Sequence, residues 1–467
     1  MQSSFKGDKG ERRMVGGVWA CVAILVLCLL LCGALAASES ASAPAALGSP
    51  KGDELWSAGS KHYIHWQVDL LPARTVSVEY STDGGGAWDV IAADAPNDGG
   101  LLWTVPAAPG AQRRASKRCR VRICAAGTIL QSKADFAIAP SQEVTDYRWV
   151  NVTMNAAFAP RDGAGALTYK GKMWFLGGWN PGDKAHFPRI CNNEVWCSTD
   201  GAAWTLVKPN TFLDRSFDAA KDWEGRHTAG YVVHKGKMWI VGGDANQGHY
   251  QNDVWNSQDG RTWTRVTNDV PWGPRVLHHT VAFEDKIWVM GGQTLPQFAP
   301  FKEEFHDDVW NSSDGVRWDK VEPRGARWQH RGMIGGSAVF KDRMWILGGG
   351  TYDTPNIPTR EFYNDVWSSA DGAEWERHVE SAPWEPRQYH DVAVFDDRMW
   401  VMEGYAKGNR KDVWYSADGV NWYELPDTPW KPRHAASVFV YDGALWMVAG
   451  NNMESDVWRL ERAPRGE

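Results

Sequence analysis

"KMWFLGG", residues 172–178, decides how the chain reads. A short apolar run closes on two glycines, just after a Lys170-Gly171 turn and another apolar run. The block returns as "MWIVGG" (238–243), "IWVMGG" (287–292), "MWILGG" (344–349), "MWVMEG" (399–404) and "LWMVAG" (445–450). Its markers Trp174, Trp239, Trp288, Trp345, Trp400 and Trp446 lie 46 to 65 residues apart. A second block follows each: "NEVW", "NDVW", "DDVW", "NDVW", "KDVW" and "SDVW". Five of these continue into Ser-x-Asp-Gly-x-x-Trp, as in "SADGAEW". Each unit therefore holds four short strands joined by Gly- and Asp-rich turns, and a period of this size marks a repeat architecture.

The Gly-Gly after an apolar strand, together with Pro-Arg before the first strand (Pro386-Arg387 and its counterparts), resembles the kelch repeat. That resemblance covers residues 147–461 and implies a six-bladed β-propeller. The sixth unit stops after "SDVWRLE", and "RWVNVT", around Trp149, stands ahead of the first unit to complete it. Such closure removes exposed sheet edges. The Ser-x-Asp-Gly-x-x-Trp turns resemble the Asp-box of sialidases, one residue shorter. In them Ser and Asp satisfy turn amides, Gly takes a positive φ and Trp packs beneath.

The chain has 467 residues, 29 of them Trp, with 50 basic against 57 acidic side chains and a net charge of −7. Such mild acidity speaks against a nucleic-acid partner, which needs a basic face. Residues 1–37 carry Lys6, Lys9, Arg12 and Arg13, then an apolar core, then "ALA" at 34–36. This reads as a signal peptide, or alternatively as a membrane anchor, and places the bulk of the chain outside the cytosol. A linker (38–47), an Ig-like β-sandwich (48–140), the propeller (145–461) and a tail (462–467) complete the expected order. The sandwich rests on alternating stretches such as "VSVEYSTDGGGAWDVIA". The expected fold class is thus all-β: a six-bladed β-propeller closed by an N-terminal outer strand, plus the sandwich. Three of the seven cysteines precede residue 38; Cys119, Cys124, Cys191 and Cys197 remain, without zinc-motif spacing.

Turns of two residues and the Asp-box-like turns occupy one face of the expected disc. The other receives long loops such as "WNPGDKAHFPRICNN" and "GTYDTPNIPTREFYN", and long loops on a rigid scaffold carry function. An aromatic residue stands three before an Arg in every unit: Phe158/Arg161, Trp223/Arg226, Trp272/Arg275, Trp328/Arg331, Trp384/Arg387 and Trp430/Arg433. Six equivalent copies suit the joints between neighbouring units better than one small-ligand site. As a binding reading, Arg387, Arg433, Arg275, His278, Trp384 and Trp430 would hold an anionic or sugar ligand.

Departures from the repeat carry more information. Counting back through the two-residue turn sets His390 opposite Glu403, which replaces the first Gly of its pair. The carboxylate would raise the His pKa, so the pair is a candidate acid–base couple. The expected function is recognition of a glycan or an extracellular protein, with no cofactor or metal assigned. The alternative is a sugar-active enzyme, because the six-bladed kelch fold resembles that of N-acetylneuraminate epimerase, a mutarotase. There Glu403 and His390 would do the acid–base work and Arg387 and Arg433 would hold the anion. Galactose oxidase also joins a sandwich to a kelch propeller, but with seven blades and a Tyr–Cys crosslink, and ranks last.

Overall fold

The computed structural model describes residues 45–106, 116–141, 146–244, 248–329, 331–332 and 336–463. The expected signal or anchor, most of the linker and most of the tail lie outside these residues. The chain is all-β, built of many small antiparallel sheets. Among the described residues no helix is long and apolar enough to cross a membrane.

Six four-stranded antiparallel sheets, here units 1 to 6, follow one another along the chain. Unit 5 shows the plan: Asp391–Phe395, Arg398–Met402, Val413–Ser416 and Tyr423–Leu425 pair in chain order. The first two strands pair from Asp391↔Met402 to Phe395↔Arg398, the register that the turn count predicts. Both turn residues have positive φ (Asp396 and Asp397, each 55°), the two-residue hairpin form whose twist matches the flanking strands.

Unit 6 differs as its sequence requires. Its fourth strand is Tyr147–Thr153, laid antiparallel on Val457–Arg462. The first strand of each unit touches that of the next, and Gly165–Tyr169 of unit 1 touches Ser437–Tyr441 of unit 6. A cavity of about 200 Å³ runs between these first strands and is lined by residues from all six units.

The marker Trp of one unit lies on the Asp-box-like turn of the next. Gly260 sits against Trp174, Gly315 against Trp239, Gly372 against Trp288 and Gly419 against Trp345. Gly201 of unit 1 sits against Trp446 of unit 6. Unit 6 has no such turn, and there Tyr147 of the closing strand meets Trp400 edge-on at 4.8 Å. Ser and Asp organise each turn locally: Ser257 Oγ accepts the Gly260 amide at 2.9 Å, and Asp259 Oδ1 accepts the amides of Arg261 and Thr262.

Residues 45–139 form a separate β module. Its strands surround a core that includes Trp56, Ile64, Trp66, Trp103, Val121 and Phe136. It docks on unit 5, where the Ser57 amide donates to Asn421 Oδ1 (2.8 Å) and the Lys61 amide to the Trp422 carbonyl (3.0 Å). No disulfide joins Cys119, Cys124, Cys191 and Cys197 among the described residues.

Candidate functional site

The repeated arginines are structural. Arg387 is 1% exposed; its Nη1 donates to the Glu403 carbonyl (2.8 Å) and to Asp412 Oδ1 (2.7 Å), and Nη2 to Asp412 Oδ2 (2.7 Å). Asp412 Oδ2 also accepts the Trp414 indole N–H. Burial alone would raise the Asp412 pKa, but the Arg387 hydrogen bonds and charge outweigh it and hold the carboxylate below its usual range. Arg433 with Asp456 and Arg275 with Asp308 repeat the arrangement. These side chains therefore tie strands within one unit rather than joining neighbours. The link between units runs through the arginine main chain, as where the Gly404 amide donates to the Arg433 carbonyl (3.1 Å). Trp384 and Trp430, 1% and 2% exposed, pack edge-on against Trp422 and Trp149. Side chains so enclosed do not reach a ligand.

His278 and His390 also serve joints. His390 Nε2 donates to the Leu347 carbonyl of unit 4 (2.8 Å), and His278 Nε2 to the Val241 carbonyl of unit 2 (3.1 Å). Burial pushes both imidazoles down to about 3, which for His390 is opposite to the expected rise. His390 is thus neutral at ordinary pH, and the expected His390–Glu403 couple is corrected. Glu403 has φ 52°, the backbone state that Gly177, Gly242 and Gly291 use at the same place. A positive φ swings Cβ away from the strand pleat, so facing positions no longer mean facing side chains. Glu403 instead turns its carboxyl to Asp391, while Glu403 Oε2 accepts the Gly404 amide at 2.8 Å. Among the described residues, no backbone or side-chain donor reaches Glu403 Oε1 or Asp391 Oδ2. Burial raises Asp391 to about 7, and burial plus the Asp391 charge raises Glu403 well above the usual range. Burial thus holds both carboxyls toward their protonated forms. Asp391 lines the central cavity, and sequence reasoning passed over it because it looked like an ordinary strand residue.

A larger cavity, about 360 Å³, is lined by residues of the long loops and of the stretches that lead into the first strands. Two kinds of position contribute to this mouth: the residue after the constant Arg (Asp162, His227 and His434) and the residue after the Gly pair (Trp179, Tyr405 and Asn451). They face each other across short bridges, Asp162 with Trp179, Val276 with Gln293 and Gln388 with Tyr405. The constant neighbours fix the backbone, and these positions vary freely between units. That contrast was the readable signal for the site.

Trp179, Tyr352, Tyr389, Tyr405 and His434 place rings on the cavity wall, interleaved with Asp162, His227, Arg360 and Asn451. Tyr405 and His434 meet at 5.6 Å, Tyr389 and His434 at 5.3 Å, and the Arg360 guanidinium lies 4.2 Å over the Tyr352 ring. Asn451 Nδ2 donates to Asp162 Oδ2 at 2.7 Å, and burial lifts the Asp162 carboxyl to about 6. His227 Nδ1 and the His227 amide both reach Asp244 Oδ2, at 2.7 and 2.8 Å. Burial opposes charging of His227, but the Asp244 carboxylate outweighs it and raises the pKa.

No family model matches the chain. Over 174 residues it is 28% identical to the leucine-zipper-like transcriptional regulator 1 homolog of Drosophila melanogaster, a kelch-repeat protein. Over 227 residues it is 26% identical to multiple epidermal growth factor-like domains protein 8 of Homo sapiens. The two matches take in 35% and 45% of this chain but only 17% and 8% of those relatives.

Proposed function

We propose that the six units are the blades of a kelch-type six-bladed β-propeller, that residues 48–140 are an Ig-like sandwich docked on it, and that the molecule is an exported recognition protein binding a saccharide at the mouth. The closed circuit of first-strand contacts and the completing strand Tyr147–Thr153 support the propeller. The N-terminal basic and apolar segment supports export.

One observation carries the saccharide reading. A cavity of about 360 Å³ combines aromatic faces with hydrogen-bonding side chains of both kinds. Stacking on an apolar sugar face and hydrogen bonding to hydroxyls require that mixture, and the volume lies within the usual range for small-ligand sites. The test is a glycan array and titration with the full chain. Tyr405→Ala and Arg360→Ala should each weaken the bound saccharide roughly tenfold, about 1.4 kcal/mol, with an unchanged melting profile. A folded wild type that binds no saccharide, or binding indifferent to both substitutions, would overturn the reading.

The Asp391–Glu403 pair favours a second reading, a sugar-active enzyme of mutarotase type. A carboxyl poised near 7 beside the channel suits proton transfer. Under it, wild type accelerates anomerisation of a free sugar and Asp391→Asn abolishes the acceleration.

A further inference from the structure

We propose that Cys191, His227 and Asp244 form a site for a zinc-class divalent metal ion in the wall of the mouth cavity. The three come from different segments: Cys191 from the long loop of unit 1, His227 from the entry to the first strand of unit 2, and Asp244 from just after the Gly pair of unit 2. Their donor atoms converge on one point. Cys191 Sγ lies 3.1 Å from Asp244 Oδ2 and 3.6 Å from His227 Nδ1, and His227 Nδ1 lies 2.7 Å from Asp244 Oδ2. All three ligand atoms fall within 4.8 Å of one another. Cys191 and the Asp244 side chain are 0% and 1% exposed, whereas His227, at 22%, lines the cavity.

The repeat does not need this cluster. At the His227 position the other units carry Asp162, Val276, Gly332, Gln388 and His434; at the Asp244 position they carry Trp179, Gln293, Gly350, Tyr405 and Asn451. No other unit puts a His beside a carboxylate there. A nucleophilic triad is a poor description of the same atoms. In such a triad the acid holds the imidazole by the nitrogen opposite the nucleophile, whereas here thiol and carboxylate both face Nδ1.

One cation satisfies the geometry more simply. Nitrogen, sulfur and oxygen donors together suit zinc. Tetrahedral bonds of about 2.0–2.3 Å set ligand atoms roughly 3.3–3.7 Å apart. The S–N edge already has that length, and the two edges to oxygen must open by about half an ångström. The ion would replace the thiol proton and the Nδ1 proton that now point at Asp244, the thiol proton leaving to solvent and the imidazole proton being carried on Nε2. Three protein ligands leave a fourth position for water or a ligand atom at the mouth.

The test uses the full chain, dialysed against chelator, then titrated with Zn²⁺ against a chromophoric competitor, and separately with Co²⁺. Wild type should bind one ion per chain, and its Co²⁺ form should show tetrahedral bands plus a thiolate charge-transfer band. Cys191→Ser should lose that band and at least roughly tenfold in affinity, as should His227→Ala. Melting curves of both metal-free variants show that they remain folded. The proposal is overturned if folded wild type binds no stoichiometric ion, if the Co²⁺ form lacks the thiolate band, or if both variants bind as wild type does. Saccharide binding does not enter this experiment, so its outcome is independent of the reading above.

Discussion

Arg387 and Asp412 show what the repeated Arg does at the residue scale. Arg387→Ala leaves Asp412 half-enclosed without its partner and strips a donor from the Glu403 carbonyl. Loss of one partner of a buried pair costs about 3–5 kcal/mol. Urea unfolding followed by Trp fluorescence should show that loss, whereas a ligand-holding Arg on a surface would leave the midpoint unchanged. The Asp391–Glu403 pair gives a pH prediction. Both folded pKa values stand above the unfolded value near 4: burial lifts Asp391 to about 7, and burial with the Asp391 charge lifts Glu403 well above the usual carboxylate range. The native state therefore holds protons that the unfolded chain has released, and stability falls as pH rises from about 4 through about 7. Asp391→Asn should flatten that fall, leaving the variant more stable than wild type at pH 8 by on the order of 2 kcal/mol. An identical pH dependence of the two proteins in urea titrations would show that the Asp391 carboxyl is not held protonated by the fold.

At the scale of elements, the Asp-box-like turns are both hairpin and joint. Gly260 has φ 72°, and a Cβ there would lie 2.3 Å from Trp174 Cζ3. Gly260→Ala adds backbone strain and overpacking, together costing roughly 2–4 kcal/mol. Gly236, in a two-residue turn with φ 67°, has nothing within 4 Å of the same position. Gly236→Ala should then cost only the backbone part, about 1 kcal/mol. Equal losses in the two melts would show that the Trp174 contact does not matter. Much of this level was legible beforehand. Strand order and register follow from turn length and apolar alternation, which are properties of a few consecutive residues. The contact between each Trp and the next unit's Gly was not legible, because it depends on how neighbouring sheets are stacked. The aromatic at Trp384 and the Arg at Arg387 recur together, yet they do separate jobs: one packs on Trp422, the other clamps Asp412.

Across the whole molecule, Tyr147–Thr153 completes the sixth sheet from the far end of the chain. Replacing residues 147–153 with a Gly-Ser linker exposes the edge of Val457–Arg462 and uncovers Trp400 and Trp430. An open edge pairs readily with other chains. The altered protein should aggregate in size-exclusion chromatography and melt less cooperatively; a monomer with the parent's melt would show that the sixth sheet does not need this strand. The sequence by itself determined the six-fold repeat, the strand register and the completing strand, since period, alternation and turn chemistry act locally. Only the tertiary structure decided the sites. The positive φ at Glu403 turned its carboxyl from His390 to Asp391, and the approach of unit 1 to unit 2 brought Cys191 beside His227 and Asp244, residues 36 and 53 positions further along the chain. Convergence over such separations is set by how whole sheets pack, which no local pattern encodes.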